Sequence, residues 1–308
     1  MTVPQARPPR PPGKPDGTAA LTAPAAQPIQ GSLQPQDLVL DLMGWYLRPA
    51  GGQAWSGGLV RLLGDLGFST AAARIALGRL VRRGLLARAK DGRLVYYRPT
   101  ARLDSLLAEG ERRIRSFGLE EPWDDRWTVL WYAIPEEHKV EGRRLARRLR
   151  FLGFGSPQEG MWLAPRDREA DVRSLVDDLG LSEYVAVVVG RTAASTDGGS
   201  LARRVWDLRD LAKRYEAFLA ALSPFCEQAT ADSLPDREAF LIRTRAVAAY
   251  RGFPPLDPSL PEELVGRAWK RREVVETFHR IDEVLRPAST RYFDAANTPQ
   301  RRPARVSA

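Results

Sequence analysis

The chain has 308 residues, 44% of them hydrophobic, and 47 Lys+Arg against 38 Asp+Glu give a net charge of +9. That length predicts two or three domains. One cysteine, Cys226, excludes an internal disulfide and fits a reducing compartment. No apolar run approaches the roughly 18 residues of a membrane span. The opening MTVPQARPPRPPGKPDG lacks the apolar core of a secretory signal, so a cytoplasmic location is expected.

The basic excess is uneven. Residues 35–100 carry 10 Lys+Arg against 4 Asp+Glu, residues 1–34 carry 3 against 1, and residues 286–308 carry 5 against 1. Residues 101–285 carry 29 against 32. A basic N-terminal region on a near-neutral bulk is an electrostatic footprint for nucleic acid. Charge alone also suits an anionic membrane or an acidic protein.

Residues 1–34 are rich in Pro, Ala and Gln and short of large apolar side chains, which predicts a disordered extension. Gln36 to Leu47 and Ser56 to Gly67 each read as a short apolar helix, separated by the glycine-rich Arg48 to Trp55. A third helix starts at an N-cap hydroxyl, Ser69 or Thr70. Ala73, Leu77, Leu80 and Val81 recur at helical spacing and face inward. Thr70, Ala71, Arg74, Gly78 and Arg82 fall on the other side, with Arg79 and Arg83 at its edges. Gly84 suits the C-cap. Asp91-Gly92, between Leu85-Leu86 and Leu94-Val95-Tyr96-Tyr97, predicts a β-hairpin with a type I′ turn. Arg88, Lys90 and Arg93 crowd its tip.

Three helices followed by a basic hairpin predict a winged helix-turn-helix over residues 35–100, a module that lays its recognition helix in the major groove of double-stranded DNA. Arginine suits that place, because its planar fork donates two hydrogen bonds to guanine. The same residues also fit a solvated helix face or a protein-docking surface.

Leu103 to Phe117 reads as a helix within a linker, residues 101–124. Residues 125–195 alternate strand and helix: Arg126 to Ile134, Lys139 to Leu152, Gly160 to Ala164, Asp167 to Leu179 and Glu183 to Val189. This β-α-β-α-β order, with room for one further strand, predicts a small ferredoxin-like unit. No glycine-rich phosphate loop follows a strand, which weighs against a dinucleotide fold. After the loop 191–200, a C-terminal helical effector and dimerisation domain (200–285) is predicted from helices at Leu201 to Leu222, Pro235 to Tyr250 and Pro261 to Leu285. Pro254 to Leu264 is a proline-spaced connector. Residues 286–308, polar and basic, are expected to be a disordered tail. The fold class is therefore α+β and multidomain.

Enzyme signatures are absent from the sequence. His138 and His279 lie in different predicted domains, and Cys226 has no catalytic context. Asp124-Asp125 and Asp177-Asp178 are adjacent, so their carboxylates point apart. Neither a catalytic nor a metal site, and no cofactor, is expected.

Three stretches resemble the PaaX-type bacterial repressors of phenylacetic acid catabolism. AWSGGLVRLLGDLGFSTAAARIALGRLVRRGLL (Ala54 to Leu86) resembles their N-terminal domain. RWTVLWYAIPEEHKVEGRRLARRLRFLGFGSPQEGMWLAP (Arg126 to Pro165) resembles their central domain, similar in fold to a small CRISPR-adaptation nuclease. LIRTRAVAAYRGFPPLDPSLPEELVG (Leu241 to Gly266) resembles their C-terminal signature. The resemblance implies a homodimer on operator DNA, released by an aryl-acyl coenzyme A thioester such as phenylacetyl-CoA. It makes Thr70, Arg74, Arg79 and Arg82 base or phosphate contacts and puts Arg88, Lys90 and Arg93 on the wing. Arg243, Arg245, Tyr250 and Arg251 offer the charge and aromatic surface an acyl-CoA needs. One departure stands out. Related domains carry an aspartate near the end of the first central strand, where this chain reads Trp131-Tyr132-Ala133-Ile134-Pro135. A structural, dimerising central domain is therefore expected. The alternatives are a metal-dependent nuclease or a docking scaffold.

Overall fold

A computed structural model describes residues 34–119, 122–228 and 234–299. It is a mixed α+β structure with two antiparallel sheets. The expected N-terminal extension lies almost wholly outside the described residues.

The N-terminal unit opens with α1 (Pro35–Leu42), whose Pro35 occupies the first turn, where no N–H is needed. A π-helical turn (Met43–Leu47) and α2 (Arg48–Ala50) continue it. Then come β1 (Ala54–Trp55), α3 (Ser56–Asp65), α4 (Thr70–Arg82), β2 (Leu86–Asp91) and β3 (Leu94–Pro99). The strand order is β1-β3-β2. Leu38, Leu42, Leu59, Leu62, Ala73, Leu77 and Leu80 close one core under the helices. Both α3 and α4 end in the same way. The N–H groups of Gly67 and Phe68 reach back to Gly64 and Leu63, and those of Gly84 and Leu85 to Val81 and Leu80, at 2.9–3.0 Å. Gly67 (φ 98°) and Gly84 (φ 67°) supply the left-handed backbone this closure requires.

α5 (Ala101–Ser116) leads to a four-stranded unit: β4 (Arg126–Tyr132), α6 (Lys139–Phe151), β5 (Gly155–Gln158), β6 (Met161–Ala164), α7 (Glu169–Asp178) and β7 (Val185–Arg191). The order is β5-β6-β4-β7, with every neighbour antiparallel. β5 is the further strand for which the sequence left room. α6 and α7 cover one face through Leu145, Leu149, Val172 and Val176, packed on Leu130 and Trp162. The other face places Trp127 and Leu163 against the C-terminal region.

The helix expected over Leu201 to Leu222 is two helices, α8 (Gly198–Val205) and α9 (Leu208–Gln228). Trp206 between them is extended (φ −121°, ψ 143°), and its ring packs beside Trp127, with centroids 6.4 Å apart. α10 (Asp236–Tyr250), α11 (Glu262–Val265) and α12 (Arg271–Asn297) complete the chain.

The expected tail over 286–308 needs correction. α12 runs through Pro287 to Asn297, and only residues 300–308 lie outside the described part. Proline costs this helix one backbone bond. Burial offsets it, because Ala288, Phe293 and Ala296 are each about 2% exposed. Phe293 and Ala296, with Phe240 of α10, belong to the core of the N-terminal unit. That unit is therefore fused to the C-terminal helices. Tyr46 hydrogen-bonds Thr244 at 2.9 Å, Tyr292 donates to Asp65 at 2.7 Å, and the Trp55 N–H donates to Asn297 Oδ1 at 2.6 Å. α3 approaches α12 so closely that a Cβ at Gly58 would lie 2.5 Å from the Ala296 carbonyl oxygen.

Candidate nucleic-acid interface

α4 has one buried and one free face. Ala73, Ala76, Leu77 and Leu80 are at most 1% exposed. Val81, predicted to be inward, is half-buried. The Ser69 hydroxyl caps the helix, accepting from the Ala72 N–H at 3.2 Å. Thr70, Arg74, Arg79 and Arg82 are all exposed, with Ala71 alongside. Ile75 stands among them, 53% exposed. Sequence reasoning passed over Ile75. Its signal was an apolar side chain on a stripe otherwise made of Arg, Ala and Gly, and such a side chain suits a thymine methyl group.

The hairpin packs beside α4. Its turn differs from the expected type. Asp91 pairs with Leu94, so the two loop residues are Gly92 and Arg93, and only Gly92 takes positive φ (57°). Glycine first in a two-residue loop is the II′ arrangement. Arg88 and Lys90 are two apart and share one face of β2. Both are exposed, as is Arg93 in the turn. Among the described residues, none of Arg74, Arg79, Arg82, Arg88, Lys90 or Arg93 has a carboxylate partner. Six free cations on a helix and its adjoining hairpin form a surface suited to a polyanion.

The four C-terminal candidates are placed differently from a surface cluster. Arg243 is 1% exposed, and its Nη2 lies 2.8 Å from Asp282 Oδ1. Its guanidinium also stands over the Tyr46 ring at 4.7 Å. The Tyr250 ring is buried and stacked on Phe278 at 3.7 Å, and burial pushes its phenol well above the usual range. Arg251, half-exposed, pairs with buried Asp41 of α1 at 2.8 Å. Arg245 is half-buried. Charged residues in a helical run read as surface, and Asp282 lies 39 positions away, so neither partner was visible in the sequence. These contacts make the region a joint between the N-terminal unit and α10 and α12. Polar atoms there stay unpartnered within the described residues: Asp41 Oδ2, Arg243 Nη1 and the Tyr250 hydroxyl.

Burial raises the Asp41 carboxyl to about 7, against the pull of Arg251 and with a push from Asp37. A carboxyl raised in the fold holds its proton more tightly there than in the unfolded chain. Its contribution to stability is complete below pH 3.8 and is lost as pH climbs through about 7. Urea midpoints are expected to fall between about pH 4 and about 7 in the wild type and to flatten over that window in Asp41→Asn. An identical pH profile in the two proteins would remove Asp41 from this role.

Three family models match in chain order. "PaaX-like protein" covers residues 34–103, "PaaX protein central Cas2-like domain" covers 120–202, and "PaaX-like protein C-terminal domain" covers 206–295. The chain belongs to the PaaX family. A curated relative, transcriptional repressor PaaX of Escherichia coli (strain K12), is 28% identical over 270 residues, spanning 86% of this chain and 83% of the relative. A solved structure of an uncharacterized protein from Mycobacterium tuberculosis superposes with a TM-score of 0.55 at 22% identity. It covers 87% of this chain and all of that one. At that identity the likeness speaks for the fold. Within this PaaX-family chain, the exposed face of α4 and the hairpin lie in the first matched segment, and the buried Arg243 joint lies in the third. Among the described residues, no group of three or more His, Cys, Asp or Glu could hold a metal ion. No described helix is long and apolar enough to cross a membrane.

Proposed function

We propose that this PaaX-family chain is a non-enzymatic transcriptional repressor that reads operator DNA as a homodimer in the cytoplasm. The observation that carries this reading is the unpaired basic face of α4 beside the basic hairpin. In this reading the N-terminal unit is a winged helix-turn-helix. α4 enters the major groove, Arg74, Arg79 and Arg82 meet guanines or phosphates, and Thr70 and Ile75 lie at base edges. Arg88, Lys90 and Arg93 hold phosphates from the wing. The central unit, with β-α-β-β-α-β order, is ferredoxin-like and joins two copies.

The effector is an aryl-acyl-CoA, with phenylacetyl-CoA the first to try. The incompletely satisfied joint around Arg243, Arg245, Tyr250 and Arg251 supports a ligand-sensitive position there, since unpartnered buried polar atoms invite an additional ligand or an alternative packing. To empty the operator, the effector must favour the off-DNA arrangement by several kcal/mol, about 5.5 for a complete switch.

Arg74→Ala is expected to weaken operator affinity by about 1–3 kcal/mol and to relax the preference at one base pair. Competition binding against single-base operator variants measures this. Unchanged affinity and preference would remove Arg74 from the reading set.

A further inference from the structure

Several exposed arginines on this chain's other helices stand beside acids. Arg112 and Arg115 of α5 meet Glu109 and Glu111, Arg173 of α7 meets Glu169, and Arg286 of α12 meets Asp282. Arg214 of α9 meets Asp210 at 2.7 Å. α6 does not follow this pattern. It carries six Lys+Arg and a single acid, Glu141. Arg143, Arg144, Arg147, Arg148 and Arg150 are all exposed. Among the described residues none of the first four has a carboxylate partner, and Arg150 lies over the Trp162 ring at 5.2 Å. Arg143 with Arg147, and Arg144 with Arg148, are like charges four residues apart, a spacing that weakens a helix unless an anion sits across them.

The patch is built for phosphate. Its five cations between 143 and 150 are all arginines, and the guanidinium fork matches phosphate oxygens in pairs. Leu145 and Leu149 anchor the opposite side of α6 in the central core, so the arginines are held on a rigid helix. Arg143 to Arg150 spans about 10 Å. That matches about three successive phosphates of one duplex strand, at roughly 3.4 Å of axis each. The patch is also tethered to the reading head. α5 follows β3 directly, and its last turn meets the end of α6, where the Arg113 guanidinium lies over the Phe151 ring. α5 has 16 residues, so it is about 24 Å long. That length equals roughly seven base pairs of duplex axis.

We propose that α6 is a second DNA-binding surface, whose arginines grip phosphates of the duplex flanking the segment read by α4, without regard to sequence. This rests on the reading of the N-terminal unit as the DNA-reading head.

The test compares three full-length proteins on an operator duplex with long flanks: wild type, Arg144→Gln/Arg147→Gln/Arg148→Gln, and a charge-matched control, Arg204→Gln/Arg209→Gln/Arg267→Gln. Affinity is measured by anisotropy across a salt series. The α6 variant is expected to show a slope of log affinity against log salt shallower by about 3, with its base preference kept. The control should keep the wild-type slope, and Arg144→Lys/Arg147→Lys/Arg148→Lys should stay steep. On a duplex trimmed to the footprint of the head, wild type and α6 variant should bind alike. Equal slopes for wild type and α6 variant on the long duplex would overturn the second surface while leaving the head intact. A wild type that binds no duplex selectively would overturn the reading of the head and the second surface with it.

Discussion

Asp282→Ala is expected to lower the unfolding free energy by about 3–5 kcal/mol, because it strands the Arg243 guanidinium in the interior without its counter-charge. Asp282 is 3% exposed and Arg243 1%. Asp282 Oδ1 takes both the Nε and the Nη2 of Arg243, at 2.9 and 2.8 Å. The guanidinium also rests on Tyr46, and the hydroxyl of Tyr46 bonds Thr244, so the loosening should reach α1 and the orientation of α4. Chemical denaturation measures the stability, and operator affinity measures the reach. The double variant Arg243→Met/Asp282→Leu separates a buried charge from a buried hole. Well-packed apolar replacements of an ion pair are often neutral or stabilising, so the double variant should recover much of the loss. A loss below about 1 kcal/mol in Asp282→Ala would mean that the joint tolerates an unpaired charge.

The second large effect is expected at Phe293. Its side chain is 2% exposed and stacks on Tyr46 at 5.1 Å, with the rings 20° apart. Phe293→Ala should cost about 3–5 kcal/mol, the usual range for emptying a buried aromatic site. Glu283→Ala, exposed on the same helix, should stay within about 0.5 kcal/mol. Truncation after Leu285 should be worse than either, since it also removes Ala288 and Ala296 from the core. If thermal melting showed Phe293→Ala to be silent, the end of α12 would be the loose tail that composition suggested.

The contrast at α12 shows what the sequence could and could not yield. α4 was legible because everything that defines it is local: a capping hydroxyl at Ser69, apolar residues at helical spacing, and Gly84 at the end. The hairpin was legible from Asp91-Gly92, although its turn class depended on the φ of Arg93, which nothing local dictates. The end of α12 was hidden because Pro287 and a polar composition outweigh Phe293 and Ala296 until their neighbours, Tyr46 and Gly58, are known. β5 (Gly155–Gln158) contains a proline and has no alternating pattern, so its pairing with β6 is a tertiary fact. Trp206 broke a periodic helix because its ring seats beside Trp127, 79 positions earlier. The candidate interface followed the same rule. The arginines of α4 and the hairpin were found from regional charge and local motif. Those of α6 disappeared into the near-neutral average of residues 101–285, and Arg243 looked like surface until Asp282 was placed beside it.

The decisive measurement is a fluorescence-anisotropy titration of the full-length protein against DNA from upstream of its own coding region, at two salt concentrations, with and without phenylacetyl-CoA. The expected result is tight, sequence-selective binding that weakens steeply with salt and is released by the thioester. Equal affinity for an unrelated duplex, or no binding at low salt, would contradict a DNA-reading role for α4.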